Sequence, residues 1–254
     1  MTTSTRGPAP PAMPHPLVGA FGRPVWNELR APVERKNLRR STVWADAEGL
    51  DGRGRPVVVV TGYLGTPDSV ADLTDWLERG GYAVTVADME RNRRSSTWAA
   101  QRIAETIAER SEAVGRPVTL IGHSRGGQQC RVVANRSPEG LAQLITLGSP
   151  IRRHLPRQIA LRLSIEALRL ASRLGIGAAD DVDADRAYQS ELFRAYDTSV
   201  PWTAIWSKTD GIVEWQACFD PAATNVEITA SHLGLTGSIA SFRAIAAALR
   251  EATP

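Results

Sequence analysis

The sequence predicts an α/β fold in which helices cover both faces of a mostly parallel central sheet. Its 254 residues are enough for one sizeable core. Six apolar runs rich in β-branched residues, bounded by Gly or Pro, have the composition of buried parallel strands. Helical patterns separate these runs, and such alternation favours parallel pairing. The runs are Pro56–Thr61, Tyr82–Asp88, Pro117–Gly122, Leu141–Leu147, Thr203–Ser207 and Asn225–Thr229.

The segments between the predicted strands carry apolar residues at helical spacing. One helix face holds Val70, Leu73 and Leu77, and another holds Trp98, Ile103 and Ile107. The last helix is expected to begin after Thr236, whose hydroxyl can accept a hydrogen bond from the first helical turn. Its apolar face consists of Ile239, Phe242, Ile245 and Leu249.

The pattern predicts one domain with two additions to the alternating unit. Residues 1–16 are rich in Pro and predict a flexible arm, and residues 17–254 form the single domain, with short helices expected over 17–55. The interval between Leu147 and Thr203 is too long for a plain crossover. Residues 151–200 are therefore expected to hold a helical cap insertion over the site, although the same apolar spacing also fits a core helix.

Composition excludes several classes of protein. The chain is 43% hydrophobic and 22% charged, which is ordinary for a globular protein. A net charge of only +3, spread along the chain, predicts no nucleic-acid partner. No apolar run approaches the roughly 18 residues of a membrane span, and residues 1–16 lack the apolar core of a secretory signal. We therefore expect a cytoplasmic protein without stable membrane insertion.

The strongest chemical feature is Gly122-His123-Ser124-Arg125-Gly126, which follows a predicted strand and precedes a helix-compatible run. A serine hydroxyl is a poor nucleophile unless it is exposed, loses its proton during attack and faces donors for the oxyanion. A sharp strand-to-helix turn exposes it, and glycines on either side avoid clashes of Cβ atoms in that turn. The motif in this context predicts Ser124 as a nucleophile.

Elimination identifies the base among the four histidines. His15 lies in the predicted arm, His154 begins the predicted cap, and His123 should point away from the serine inside the turn. His232 directly follows the last predicted strand, from where a loop can reach over the carboxyl edge of the sheet. We therefore expect His232 to be the base.

The acid should follow a strand between the nucleophile and the base. Asp210 does so, just after the predicted strand that ends at Ser207, and Glu214 is the alternative four residues later. A buried carboxylate at this place fixes the tautomer of the histidine and stabilises the imidazolium.

Two backbone N–H groups should form the oxyanion hole. One is expected from Arg125, because it follows the nucleophile. The other is expected from Tyr63 in the loop after the first strand, with Leu64 as the near alternative.

These motifs resemble those of bacterial lipase/esterase-like α/β-hydrolases over about residues 56–250. The resemblance implies the α/β-hydrolase fold, the triad Ser124, Asp210 and His232, and the oxyanion donors Tyr63 and Arg125. Thr61 stands where the family usually has His or Pro before the first glycine of the oxyanion motif. The matching segments are Gly62-Tyr63-Leu64-Gly65, Gly122-His123-Ser124-Arg125-Gly126-Gly127, Gly148-Ser149-Pro150, Ser207-Lys208-Thr209-Asp210-Gly211-Ile212-Val213 and Ser231-His232-Leu233-Gly234-Leu235.

We therefore expect a serine hydrolase that cleaves a small-molecule or lipid-like carboxylic ester through an acyl-enzyme, without a cofactor. A thioesterase, amidase or acyltransferase with the same triad is the first alternative, and a non-catalytic binding protein on this fold is the second. No metal site is expected, because the acidic run Asp180–Asp185 lacks the glycine and glutamate of a calcium loop. Whether Cys130 and Cys218 pair is left open.

Further groups near the predicted site have ordinary structural interpretations. Arg91, Arg93 and Arg94 could attract an anionic substrate, but a solvated loop is the favoured interpretation. The tryptophans around the acid loop are expected to pack rather than to stack on a substrate. They are Trp202, Trp206 and Trp215.

Overall fold

A computed structural model describes residues 25–152 and 186–251, and within them lies a six-stranded, wholly parallel sheet. All six predicted strands are present, in the spatial order β2-β1-β3-β4-β5-β6. The strand order reverses at β1, because β2 lies on one side of β1 and β3 to β6 follow on the other side. The strands are β1 (Pro56–Val60), β2 (Ala83–Val86), β3 (Val118–His123), β4 (Leu141–Leu147), β5 (Trp202–Ser207) and β6 (Thr224–Ile228).

Helices cover both faces of the sheet, as predicted. Of the eight α-helices in the described residues, four lie on one face and two on the other, and the other two follow β4 and β5 along the chain. The first face carries α1 (Ala31–Arg39), α2 (Thr42–Ala45), α3 (Ala71–Arg79) and α8 (Ile239–Glu251). The second face carries α4 (Ser96–Val114) and α5 (Arg125–Arg136), and the remaining two are α6 (Arg186–Phe193) and α7 (Trp215–Cys218).

Each central strand is buried on both sides, which explains its continuous apolar sequence. Val57 and Val59 of β1 belong to the core under α3 and α8, whereas Val58 and Val60 belong to the core under α4. The edge strands differ from the prediction of uniformly buried strands. Most residues of β2 and β6 are only half-buried, because each edge strand has one neighbour instead of two.

The predicted helix faces are buried, with one correction to a helix start. Ser238, not Thr236, caps the last helix: its hydroxyl accepts a hydrogen bond from the N–H of Ser241 at 3.3 Å. Thr236 ends a 3-10 helix (Leu233–Thr236), and its hydroxyl donates to the carbonyl oxygen of Leu233 at 3.1 Å. The extra 3-10 turn moved the cap two residues along the chain.

Part of the predicted organisation lies outside the described residues: the arm over 1–16, His15, His154, the acidic run Asp180–Asp185 and the middle of the predicted cap. The short helices expected over 17–55 are present from Val25 onward. The last part of the cap interval, α6, lies against α5, where Arg131 donates to the carbonyl oxygens of Leu192 and Arg194 at 2.8 Å each.

Three further features of the described residues concern the cysteines, the tryptophans and the length of the helices. Cys130 and Cys218 are both buried free thiols, so they do not pair. The tryptophans pack against the body, with Trp206 and Trp215 stacked at 4.9 Å between ring centroids. Among the helices of residues 25–152 and 186–251, none has the length and apolar character needed to cross a bilayer.

Phe242→Ala is expected to lower the free energy of unfolding by about 3–5 kcal/mol, because the cavity cannot collapse among large neighbours. The ring is fully buried and lies 4.6 Å from the ring of Trp76 and 6.4 Å from that of Trp44. Urea denaturation measures the loss, with Phe242→Leu as a milder control. A loss below about 1 kcal/mol for the alanine variant would contradict this packing.

Candidate active site

Ser124 occupies a strained turn between β3 and α5. Its backbone has φ of 53° and ψ of −124°, a region that residues with a side chain rarely adopt. The Ser124 N–H donates to the carbonyl oxygen of Leu147 at the end of β4, at 2.8 Å. The turn therefore has the sharp geometry that the glycine-flanked motif predicted.

Close backbone packing behind the turn explains the requirement for glycine. A Cβ atom at Gly126 would lie 2.5 Å from the carbonyl oxygen of Thr61 and 2.7 Å from that of Val60. Any larger residue would push the start of α5 away from the end of β1. The serine turn and the loop after β1 are thus held in direct contact.

Asp210 and His232 form a buried pair beyond the ends of β5 and β6. The ring nitrogen Nδ1 of His232 lies 2.7 Å from Oδ2 of Asp210, and the two side chains are only 4% and 2% exposed. Oδ1 of Asp210 accepts the N–H groups of Ile212 and Val213 at 2.8 and 2.7 Å. Because an ionised carboxylate only accepts, the Nδ1 atom carries the proton and Nε2 is left as the basic nitrogen.

The ends of β5 and β6 are tied together just before this pair. The hydroxyl of Ser207 donates to the carbonyl oxygen of Ala230 at 2.8 Å and accepts the Ala230 N–H at 3.1 Å. The hydroxyl of Thr209 also donates to the Ala230 carbonyl oxygen, at 2.9 Å. These bonds keep the acid loop and the histidine loop in register.

Two contacts bring the Asp–His pair to the serine turn. His123, which precedes Ser124, lies with its ring 4.8 Å from the ring of His232, and its Nε2 is 3.1 Å from the carbonyl oxygen of His232. A Cβ atom at Gly148, next to Leu147, would lie 3.2 Å from both Asp210 Oδ2 and His232 Nδ1. These contacts place the Asp210–His232 pair beside the residues that flank the serine turn.

The pKa values of His232 and His123 are shifted in opposite directions. Burial would lower the pKa of His232, but the charge of Asp210, its hydrogen bond and the charge of Glu28 together raise that pKa above its ordinary value of 6.5. Burial, reinforced by the neighbouring His232, lowers the pKa of His123 to about 3. His123 is therefore neutral near pH 7, and its Nε2–H donates to the carbonyl oxygen of His232.

The two residues expected to form the oxyanion hole lie beside each other. The guanidinium of Arg125 lies 5.8 Å from the ring centre of Tyr63, and it donates to the carbonyl oxygen of Arg94 at 2.9 Å. Leu64, the alternative donor, has a left-handed φ of 59° and is 45% exposed. The loop after β1 therefore runs next to the start of α5, as an oxyanion hole requires.

Other candidates take structural roles. Glu214 is the residue before α7, whereas the carboxylate that contacts Nδ1 of His232 is that of Asp210. Arg94 forms an ion pair with Glu90 at 3.4 Å. Within the described ranges there is no group of three or more metal-ligating side chains.

Sequence reasoning missed two glutamates from the N-terminal helices. Glu28 accepts hydrogen bonds from the N–H groups of Gly211 and His232, at 2.9 Å each. Glu34 accepts from the hydroxyl of Ser231 at 2.6 Å. Nothing in the local sequence marks either residue, because its partners lie about 180–200 positions further along the chain.

Asp210→Asn is expected to lower the pKa of His232 below 6.5, because burial then acts without the carboxylate. In the native protein this pKa is raised, so the pair contributes stability that is fully present below the unfolded value near 6.5. That contribution is lost as pH rises through the folded pKa. Relative to wild type, the variant should therefore show its largest loss in free energy of unfolding between about pH 5 and 6.5.

Urea denaturation at several pH values, with a histidine NMR titration, measures both effects. An equal loss of stability at about pH 5.5 and about pH 9 would contradict the assigned charge interaction. The conservative variant Asp210→Glu, which keeps the charge, is the control.

Part of the sequence matches the model of a known protein family. The model for palmitoyl protein thioesterase matches residues 56–163. This stretch contains Ser124 and the loop after β1, whereas Asp210 and His232 lie beyond it. No curated protein matches the sequence.

Several solved structures share the fold. The mature lipase BlEst2 from Bacillus licheniformis is 20% identical with a TM-score of 0.60, and the match covers 80% of this chain and 94% of that one. A soluble variant of monoglyceride lipase from Saccharomyces cerevisiae is 14% identical with a TM-score of 0.58, covering 81% and 89%. A structure reported with LipS and LipT, two metagenome-derived lipolytic enzymes, is 17% identical with a TM-score of 0.56. The match covers 80% of this chain and 96% of that one.

These similarities confirm the fold that the sequence motifs implied. The matches to the two lipase structures each cover about four-fifths of this chain. The chain therefore has the α/β-hydrolase fold, and the solved structures similar to it include lipases from bacteria and yeast.

Proposed function

We propose that the protein is a serine hydrolase that cleaves a small-molecule or lipid-like carboxylic ester through an acyl-enzyme on Ser124. The observation that carries this proposal is the buried His232–Asp210 hydrogen bond of 2.7 Å beside the strained serine turn. A base with a fixed tautomer next to a serine hydroxyl is the arrangement that activates serine. The lipase structures on the same fold agree with it.

The reaction would proceed in two steps, acylation of Ser124 and hydrolysis of the acyl-enzyme. His232 Nε2 takes the hydroxyl proton while Oγ of Ser124 bonds to the ester carbonyl carbon, and the new oxyanion accepts hydrogen bonds from the N–H groups of Arg125 and Tyr63. The bond to the alcohol then breaks, and the alcohol leaves with the proton from His232. A water molecule next attacks the acyl carbon while His232 Nε2 takes its proton. The bond between the acyl carbon and Ser124 Oγ then breaks, Oγ takes the proton back from His232, and the carboxylic acid is released.

Ser124→Ala is expected to lower kcat for an activated ester by at least about 10⁴-fold, because the nucleophile is lost. A fluorophosphonate probe should add to the wild-type protein and not to the variant, as measured by intact mass. Ser137→Ala is the control, since Ser137 is exposed at the end of α5, away from the turn.

Two results would contradict the proposal. Unchanged turnover in Ser124→Ala would assign the chemistry elsewhere. Folded wild-type protein that neither reacts with the probe nor hydrolyses any activated ester would instead favour a binding protein on this fold.

Thioester hydrolysis is the second candidate, and the palmitoyl protein thioesterase match favours it. Ser124 with the same triad can attack the carbonyl carbon of an ester or of a thioester. The preference for an alcohol or a thiol leaving group therefore distinguishes the two functions. For an ester hydrolase, kcat/KM for a nitrophenyl ester should exceed that for a thioester with the same acyl chain by about tenfold or more, with chain length varied in parallel. The reverse ranking over the whole chain-length series would establish the thioesterase. An amidase or acyltransferase would be recognised by turnover of an amide or by transfer to an added alcohol.

A further inference from the structure

A single carboxylate, Glu28, joins the loop of the acid to the loop of the base. It lies in the 3-10 helix Val25–Arg30, at the start of the described chain. Its Oε1 accepts the N–H groups of Gly211 and His232 at 2.9 Å each, and its Oε2 accepts the N–H of Leu233 at 2.9 Å. Gly211 directly follows Asp210, so Glu28 bonds both to the backbone next to the acid and to the backbone of the base.

These three bonds constrain the side chains of the pair as well as the backbone. Asp210 and His232 lie on separate loops, and a shift of either loop would change the 2.7 Å distance between them. A backbone N–H of a partly buried loop needs a partner, and bonds to an ionised carboxylate are stronger than neutral ones. Glu28 supplies such a partner to both loops at once.

The helix that carries Glu28 is itself anchored. Asn27 donates to the carbonyl oxygen of Thr209 at 3.1 Å. In the following helix, Arg35 and Arg39 form ion pairs with the buried carboxylate of Asp72 in α3, at 2.8 and 2.7 Å. Glu28 therefore acts from a fixed support.

Glu34 bonds to the histidine loop at Ser231, one residue before His232. It accepts the N–H of Ser231 at 3.1 Å and the Ser231 hydroxyl at 2.6 Å. Within the described part of the chain, Glu34 makes no hydrogen bond to the acid loop. Of the two glutamates, Glu28 is therefore the one that contacts both loops.

We propose that Glu28 is a positioning residue, which holds the acid loop against the histidine loop and so keeps the His232 ring aligned with Ser124. This inference rests on the acyl transfer proposed above. Glu28 does not touch the reacting atoms, and it acts through the backbone of Gly211 and His232. The N-terminal helices are thereby part of the catalytic apparatus and not only a cover for the sheet.

The charge of Glu28 has a separate, measurable consequence. The charged or titratable groups around His232 are Asp210 in the acid loop, His123 at the end of β3, Glu28 in the N-terminal helix and Glu34 behind Ser231. His123 is neutral near pH 7. The charge of Glu28 adds to that of Asp210 in raising the pKa of His232, so its removal should lower that pKa.

The test is Glu28→Gln, measured against wild type and against Glu112→Gln, which removes an exposed glutamate from α4. The amide oxygen can still accept two N–H groups, but the amide nitrogen would face the N–H of Leu233, donor against donor. We expect kcat for an activated ester to fall about 10- to 100-fold with KM within about twofold. The midpoint of the acid limb of kcat/KM should move to lower pH, because neutral His232 is the active form.

Glu28→Asp separates charge from geometry and covers the case in which the glutamine variant does not fold. It keeps the charge but is shorter by one methylene group. We expect the acid limb to stay near the wild-type midpoint while kcat falls, because the shorter chain cannot reach both loops.

An independent readout distinguishes failure of this inference from failure of the proposed function. The His232 titration and its Nδ1 proton signal, followed by NMR, need no turnover. Both should change in Glu28→Gln and not in Glu112→Gln. If wild type shows no hydrolysis and no probe labelling, the proposed function fails, and this NMR comparison alone decides whether Glu28 positions the pair. A lower melting temperature with unchanged kcat, acid limb and His232 signals would overturn the positioning role.

Discussion

The site depends on the turn at Ser124, where the chain leaves β3 and enters α5 with almost no space behind it. The backbone conformation at Ser124, with φ of 53°, is unfavourable by about 1–3 kcal/mol for a residue with a side chain. Packing of Gly126 against the carbonyl oxygens of Thr61 and Val60 holds the chain in it. The rest of the proposed site is arranged around the residue that this turn places at the carboxyl edge of the sheet.

Parallel pairing makes this convergence possible. All six strands end at the same edge, so loops from β1, β3, β5 and β6 meet there although they are far apart in sequence. The hydroxyl of Ser207 and the carboxylate of Glu28 then join the acid and histidine loops directly. The pair is thus held from the sheet side and from the N-terminal helices.

The charges around His232 are unequal in a way that suits a base. The carboxylates of Asp210 and Glu28 favour its protonated form, whereas His123 stays neutral beside it and donates to its backbone carbonyl. A charged neighbour at position 123 would repel the imidazolium. The neutral ring supplies packing and a hydrogen bond without that repulsion.

The amino-acid sequence by itself determined the strands and the helix faces and suggested the order of the proposed nucleophile, acid and base, because these features depend on local periodicity and on a motif within a few residues. It did not reveal Glu28 or Glu34, and it placed the last helix cap at Thr236 instead of Ser238. Partners about 180–200 residues apart meet only when the chain folds, and a carboxylate that accepts backbone N–H groups leaves no pattern in the partner's side chains. Tertiary structure alone decided that the N-terminal helices hold the acid and histidine loops, since hydrogen bonding to the backbone depends on position and not on residue type.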